Sequence, residues 1–387
     1  MLCLYTLART IYYYTFLSFF SIFKINNKKI VIVSYGGKGY WDMGKYICNE
    51  LIKYDYEIYR ATREEYIKTL PEKINYIKYN SIKCLYHLAT AKIWINNSRF
   101  PYWIRKRKQQ FYIQTWHGCL AFKKVESATE QKLSKYYVLW AKNDSKMADL
   151  FVSNSSFCTD FYRKYFWYNG DILECGCPRN DIIINNDKTS VEKVKKYFWI
   201  SNSDKICLYA PTFRANNTLN AYDLKYGILI KELENKFNGS RKLLVRLHPN
   251  ISYLGKQLSC ADRNIINASD YPDMQELLVA TDFMITDYSS CIFDYALSKK
   301  PAIIYASDIK EYIKDRDFEI KLEDAPFSIA TNNIELKEMI DKLDTKEYEK
   351  KLNKFYDDMW LKETGKSCKK IVKIINEISR NKRFYLK

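Results

Sequence analysis

The stretch Thr281–Tyr305, TDFMITDYSSCIFDYALSKKPAIIY, decides how the chain folds. Its apolar Phe283–Ile285 run ends in Asp287-Tyr288-Ser289-Ser290 and passes into a helical Ile292–Leu297 pattern, the order expected of a strand whose exit loop opens a helix. Ala302–Tyr305 supplies the next apolar strand. Hydroxyls and backbone N–H groups at a helix start favour a phosphate, because the dipole there is positive. Asp287, Ser289 and Ser290 therefore read as a diphosphate cradle.

The same unit recurs upstream. Lys242–Leu247 reads as a strand ending in His248-Pro249, and Ile206–Ala210 as one ending in Pro211-Thr212-Phe213-Arg214. Strands alternating with helices form parallel α/β sheets, and these bind ligands at the carboxyl ends of their strands. In the first half, Lys29–Tyr35 is a strand, Gly36-Gly37-Lys38-Gly39 a turn and Met43–Ile52 a helix. These glycines match neither G-x-G-x-x-G nor the P-loop, so a tight turn and an acceptor-side phosphate contact both stay open. Phe111–Trp116 runs into His117-Gly118, an imidazole at a strand end beside a residue that lets a ligand approach the backbone. Ile172–Cys175 ends in Gly176-Cys177-Pro178-Arg179-Asn180-Asp181, and the Asn-rich stretch to Asp187 reads as a linker. The resulting organisation is a membrane-associating helix over 1–28, a Rossmann-like acceptor half over 29–186, and a Rossmann-like donor half over 187–387 that carries the terminal helices.

Composition limits the partners. The length of 387 residues suits two domains, and 47% hydrophobic with 28% charged residues is globular. A formal net charge of +18 favours phosphate-rich partners, whether nucleic acid, an anionic bilayer or an anionic nucleotide. The chain carries no recognisable nucleic-acid module, so no nucleic acid partner is expected. Met1–Phe23 is apolar and aromatic with Arg9 as its sole charge, and Lys24, Lys28 and Lys29 follow. Its uncharged part, Thr10–Phe23, falls short of the roughly 20 residues a spanning helix needs. An interfacial helix with a basic flank fits better, seated on the anionic cytoplasmic leaflet of the cell membrane as a peripheral attachment.

The eleven cysteines are scattered, and Cys175-Gly-Cys177 is too tight for a C-x-x-C site, so they read as buried small hydrophobes in a reducing compartment. Only His87, His117 and His248 can supply imidazole chemistry. No G-x-S-x-G elbow or H-E-x-x-H helix is present. Asp315-Arg316-Asp317 is the one D-x-D-like run, in a charged stretch with no preceding strand, and no metal site is assigned to it.

Two histidines at strand ends on separate halves suit a transfer reaction if the halves face each other. One imidazole would take a proton from an attacking hydroxyl while the other balances a diphosphate leaving group. Arg179, Arg214 and Arg246 can clamp phosphate oxygens, and Asp294 can accept from ribose hydroxyls. Cationic side chains and helix dipoles could meet the diphosphate charge without magnesium.

Taken in order, Gln114-Thr-Trp-His-Gly118, Gly176-Cys-Pro-Arg-Asn-Asp181, Tyr209-Ala-Pro-Thr-Phe-Arg214, Arg246-Leu247-His248-Pro249 and Ile285-Thr-Asp-Tyr-Ser-Ser290 with Phe293-Asp294-Tyr295 form a specific set. The chain resembles the CDP-glycerol:poly(glycerophosphate) glycerophosphotransferases of bacterial teichoic-acid and capsule synthesis. The resemblance implies a GT-B fold, work at the inner face of the plasma membrane, displacement at the phosphorus carrying glycerol with CMP leaving, and no metal cofactor. It implies His117 as general base on the acceptor hydroxyl and His248, with Arg246, as the group holding the diphosphate. Gly118, Arg179, Pro211, Thr212, Arg214, Leu247, Asp287, Ser289, Ser290 and Asp294 would line the substrate site. The partners it implies are CDP-glycerol or another CDP-polyol, a lipid-linked glycan or teichoic-acid acceptor, and an anionic membrane surface. Where the family commonly reads W-H-G-T-P-L-K, this chain reads Trp116-His-Gly-Cys-Leu-Ala-Phe-Lys123. A CDP-ribitol donor is the alternative that departure admits, and a GT-B glycosyltransferase using a nucleotide-sugar is the other competing reading.

Overall fold

The computed structural model describes residues 2–69, 71–214, 223–248, 251, 262–315 and 318–381. Pro249, Arg316 and Asp317 lie outside the described residues. The chain divides into two compact units: residues 1–119, 125–181 and 361–387 form the first, and residues 120–124 and 182–360 the second.

The first unit is built on seven strands: β1 (Asn26–Val33), β2 (Glu57–Thr62), β3 (Asn75–Lys78), β4 (Ala91–Asn96), β5 (Phe111–Gln114), β6 (Leu150–Ser153) and β7 (Asp171–Glu174). They lie in the order β3-β2-β1-β4-β5-β6-β7, with every neighbouring pair parallel. Ile30 to Val33 are at most 1% exposed, the continuous apolar run expected of a strand covered by helices on both faces. The order reverses direction between β1 and β4, and that switch point is where such sheets open a crevice.

The second unit repeats the design with β8 (Lys205–Ala210), β9 (Arg241–Val245), β10 (Ile265–Asn267), β11 (Phe283–Thr286), β12 (Ala302–Tyr305) and β13 (Ser328–Ala330). Their order is β10-β9-β8-β11-β12-β13, again all parallel, with the switch between β8 and β11. The edge strands β10 and β13 have three residues each, too few for a periodic signal to mark them in the sequence.

The terminal helices, expected in the second half, divide between the units. The last one, Ser367–Ser379, sends Ile371, Val372, Ile375 and Ile378 into the first core beside Ile30, Ile47 and Ile93. The Gly176–Asp181 loop anchors it, since the Asp181 carboxylate accepts the Ser367 and Cys368 N–H groups at 2.9 and 2.8 Å. The unit boundary accordingly falls at 181/182 rather than near 186.

The N-terminal helix, Leu2–Phe20, packs on the helix Ile82–Thr90 and the segment around Trp103. Tyr13 stacks on Trp103 with ring centroids 5.6 Å apart, Leu17 is buried, and Phe20 meets Tyr86. Its other face leaves Leu7, Ile11, Tyr14 and Phe19 more than half exposed. Among the described residues, no helix is long and apolar enough to cross a membrane.

Candidate active site

The first unit brings His117 to its switch point. β5 ends at Gln114, and the chain then turns through Trp116, whose φ of 52° is left-handed for a bulky side chain. Tyr35 (φ 46°) and Asp42 (φ 61°) carry the same unusual backbone, and both belong to the His117 surroundings. Strain of about 1–3 kcal/mol per such residue persists only where neighbouring structure enforces it, and it concentrates at functional sites.

The enforcing network is specific. The Nδ1 of His117 lies 2.7 Å from the Asn97 carbonyl just past β4. A carbonyl only accepts, so Nδ1 carries the proton and Nε2 is left with its lone pair. The Asp42 carboxylate accepts from the Tyr35 hydroxyl at 2.7 Å, the Asn97 amide at 2.6 Å and Arg179 Nη1 at 2.8 Å. Arg179 Nη1 also donates to the His117 carbonyl at 2.8 Å. The Tyr35 and Trp116 rings stand 5.3 and 4.2 Å from the imidazole. Beneath them the buried Arg99 pairs with Glu126 and Asp144 and stacks its guanidinium over Trp116.

Electrostatics follow from this geometry. Burial lowers the His117 pKa from its ordinary 6.5, only partly offset by the Asn97 carbonyl and Asp42, so the ring is neutral at physiological pH. Burial alone would raise the Asp42 carboxyl. Arg179, the Tyr35 hydroxyl and His117 outweigh it and hold Asp42 below its usual value, ionised. A neutral imidazole with a fixed tautomer and a bare Nε2 is equipped as a general base.

Packing does not require the glycine at position 118. A Cβ at this position would meet nothing closer than the Trp116 ring at 3.8 Å, so packing leaves room for a side chain. The turn after β1 is the opposite case. At Gly37 (φ 86°) a Cβ would lie 2.7 Å from Tyr79, and the Gly37 carbonyl accepts from Arg63 N–H and the Thr62 hydroxyl. Those glycines make a tight turn.

In the second unit, the adjacent ends of β9, β8 and β11 gather His248, Thr212 and the Asp287–Ser290 loop at the switch point. Asp287 is the hub. Its carboxylate accepts the Thr212 N–H at 2.8 Å, the Thr212 hydroxyl, the Tyr288 N–H at 2.6 Å and Arg214 at 2.9 Å. Arg214 also reaches Asp308 through Nε and Nη2, at 2.6 and 3.0 Å, and lies against the stacked Tyr288 and Tyr312 rings. Burial alone would lower the Arg214 pKa, and the Asp308 and Asp287 carboxylates reverse that and raise it. Arg246 donates to the carbonyls of Ala268 and Tyr271 at 3.2 and 2.6 Å. The three arginines expected to clamp phosphate thus tie loops together in the structure, each on internal carboxylates or carbonyls.

The other expected residues have distinct settings. His248 is exposed, with Phe213 at 5.6 Å, and its pKa is lowered by burial of part of the ring and by Lys123. Ser289 and Ser290 are half-buried in front of the short helix Cys291–Ala296, and the Ser290 side chain makes no capping bond to it. Pro211, Leu247 and Asp294 are buried, and one Asp294 oxygen accepts from Gln275 at 3.2 Å. Asp42, Asn97 and Tyr35 carried no signal in the sequence. Asp42 and Tyr35 flank a glycine turn and Asn97 follows an apolar strand, and only the sheet order brings them to His117.

The cysteines also depart from expectation. Cys119 and Cys177 are joined as a disulfide, whereas Cys48, Cys84, Cys158, Cys175, Cys207 and Cys368 are buried thiols.

Two doubly wound parallel sheets, each carrying a histidine at a strand's carboxyl end, define a GT-B-like α/β fold. Within that class, the chain belongs to the CDP-Glycerol:Poly(glycerophosphate) glycerophosphotransferase family, whose model matches residues 15–377. It is 30% identical over 376 residues to the teichoic acid poly(glycerol phosphate) polymerase of Staphylococcus epidermidis, covering 91% of this chain and 51% of that protein. It is equally 30% identical over 362 residues to the polymerase of the same name from Bacillus spizizenii, covering 90% and 91%. The chain thus spans about half the length of the first relative and most of the second. Among solved structures, the wall teichoic acid polymerase TagF superposes with a TM-score of 0.82 at 29% identity, covering 97% of this chain and 95% of that one. A variant of TagF has also been solved after soaking with CDPG.

Proposed function

We propose that the chain transfers glycerol phosphate from CDP-glycerol to a hydroxyl of a teichoic-acid or lipid-linked glycan acceptor, releasing CMP. The observation that carries this reading is His117, neutral, fixed in one tautomer through Asn97 and offering Nε2 beside a glycine backbone. In this mechanism His117 Nε2 takes the proton from the acceptor hydroxyl as its oxygen attacks the β-phosphorus. The bond from that phosphorus to the bridging oxygen breaks, and CMP leaves with the electron pair. His248, at the switch point of the other unit, holds and balances the diphosphate. Ser289, Ser290 and the backbone from Pro211 to Thr212 line the donor site, and Asp294 receives ribose.

Here Arg179, Arg214 and Arg246 act as positioning residues, because their guanidiniums are engaged by Asp42, Asp287, Asp308 and main-chain carbonyls. The reading also has the N-terminal helix lying on the anionic cytoplasmic leaflet, and turnover independent of a metal. The exposed Ile11, Tyr14 and Phe19 and the basic Lys24 and Lys28 support the membrane placement.

The test is CMP release from CDP-glycerol with a lipid-linked acceptor, with and without a chelator. Wild-type rates in both His117→Ala and His248→Ala would sink the mechanism, and loss of activity with chelator would sink metal independence. A thermal-unfolding screen separates the donors: protection by CDP-glycerol is expected, and stronger protection by CDP-ribitol or by a nucleotide-sugar would replace it as donor.

A further inference from the structure

The segment that departs from the family pattern begins at Cys119, two residues after His117, and its disulfide partner Cys177 lies two residues before Arg179. Their Cα atoms are 6.1 Å apart, within the span a disulfide bridges, and the bond closes a loop of sequence separation 58. It joins the same two loops that the hydrogen bond from Arg179 to the His117 carbonyl joins. Around it the Cys158 thiol donates to the Cys119 carbonyl at 3.1 Å, Met43 packs on both cysteines, and the Glu363 carboxylate accepts the Cys177 N–H at 3.1 Å. Elsewhere burial pushes Cys48 and Cys291 up to about 11 and Cys84 and Cys207 up to about 12.

We propose that Cys119 and Cys177 are a reversible thiol–disulfide pair that clamps the His117 loop to the Arg179 loop. The oxidant is a low-molecular-weight disulfide. One cysteine thiolate attacks it and expels a small thiol, and the second cysteine displaces the other small thiol from the mixed disulfide. Both cysteine protons are released to the two leaving thiolates, so two cysteine thiols and one small disulfide become one protein disulfide and two small thiols. The closed form is the one in which His117, Asn97, Asp42 and Arg179 make the contacts described above. Opening the bond leaves noncovalent contacts, the Arg179 hydrogen bonds and the packing of Met43 among them, to hold the two loops, and turnover falls several-fold.

The activity arm rests on the function proposed above, whereas the covalent arm does not. Full-length protein is equilibrated with oxidised or reduced glutathione, alkylated with iodoacetamide and mapped by mass spectrometry without reduction, and melting and CMP release are read on the same samples. The expected result is a Cys119–Cys177 linked peptide in the oxidised sample, with a higher melting temperature and faster CMP release than in the reduced one. Both differences should vanish in Cys119→Ser and in Cys177→Ser. Full alkylation of both thiols after oxidation, or a redox response that persists in both variants, overturns the clamp. Protection of the two thiols by zinc alone, reversed by a chelator, would also overturn it by making them a metal site with Glu363. Absence of CMP release in every state, with the linked peptide and melting shift present, counts against the transferase reading and leaves the clamp standing.

Discussion

The two histidines each follow the carboxyl end of a parallel strand, His117 after β5 and His248 after β9, yet those strands lie on opposite sides of the switch point in their sheets and the surroundings differ. His117 is held by backbone strain, a carbonyl on Nδ1 and an ionised aspartate one residue removed, while His248 is exposed, with the Phe213 ring 5.6 Å away. A base that must meet one proton at one angle gains from such rigidity, because displacement of the reacting groups by about 1 Å can cost on the order of 100-fold in rate. A group that balances charge on a diphosphate needs proximity more than aim. The second unit places its strong ion pairs on the loops: Asp287 and Arg214 hold the ends of β8 and β11 together.

Mutations can break this comparison. His117→Ala should lower kcat by about 100- to 10,000-fold with little change in the KM for CDP-glycerol, as expected for loss of a general base. His248→Ala should act chiefly through the donor, raising its KM, and steady-state kinetics with CDP-glycerol varied decides between the two patterns. An equal loss of kcat at both positions would remove the division of labour.

Asp42→Asn tests whether the rigidity around His117 is electrostatic. Removing one partner of a buried ion pair costs about 3–5 kcal/mol of stability, measurable by denaturant unfolding. Since Asp42 raises the His117 pKa, the acid limb of kcat/KM should also move to lower pH in this variant. Asp287→Asn should destabilise by a similar amount while leaving that limb in place, which a purely structural role predicts.

The pH profile sharpens the contrast further. Both histidines are shifted below 6.5, so the unfolded chain takes up protons first as pH falls. Their contribution to stability is therefore complete above pH 6.5 and lost below it. In the wild type the acid limb of kcat/KM should lie below pH 6.5, and a limb above that value would contradict a desolvated base. Gly118→Ala should melt like wild type, since its Cβ has room, but lose activity if acceptor and backbone meet there. The smallest effect is expected on the N-terminal helix: Ile11→Ser with Phe19→Ser should weaken binding to anionic vesicles by about tenfold or more, with unchanged CMP release from a soluble acceptor.

Much of the architecture was written locally. Runs such as Ile30–Val33 and Phe283–Ile285, bounded by turn residues, read as strands buried on both faces, and His117 and His248 declare themselves because so few imidazoles exist and each follows such a run. Those signals survive because apolar periodicity and strand-end chemistry reside in consecutive residues. They fixed the two parallel halves and the order of their motifs.

Tertiary structure decided what depends on distant residues meeting. It sent the last helix to the first sheet, where Ile371, Ile375 and Ile378 join that core and Asp181, the Cys175 carbonyl and Tyr56 hold the helix by hydrogen bonds. It placed Asp42 and Asn97 around His117 through the β1–β4 crossover, joined Cys119 to Cys177, and gave Arg179, Arg214 and Arg246 internal carboxylates and carbonyls as partners. Charge and hydrogen-bonding capacity are visible in a sequence, whereas the partner that uses them is set by the fold.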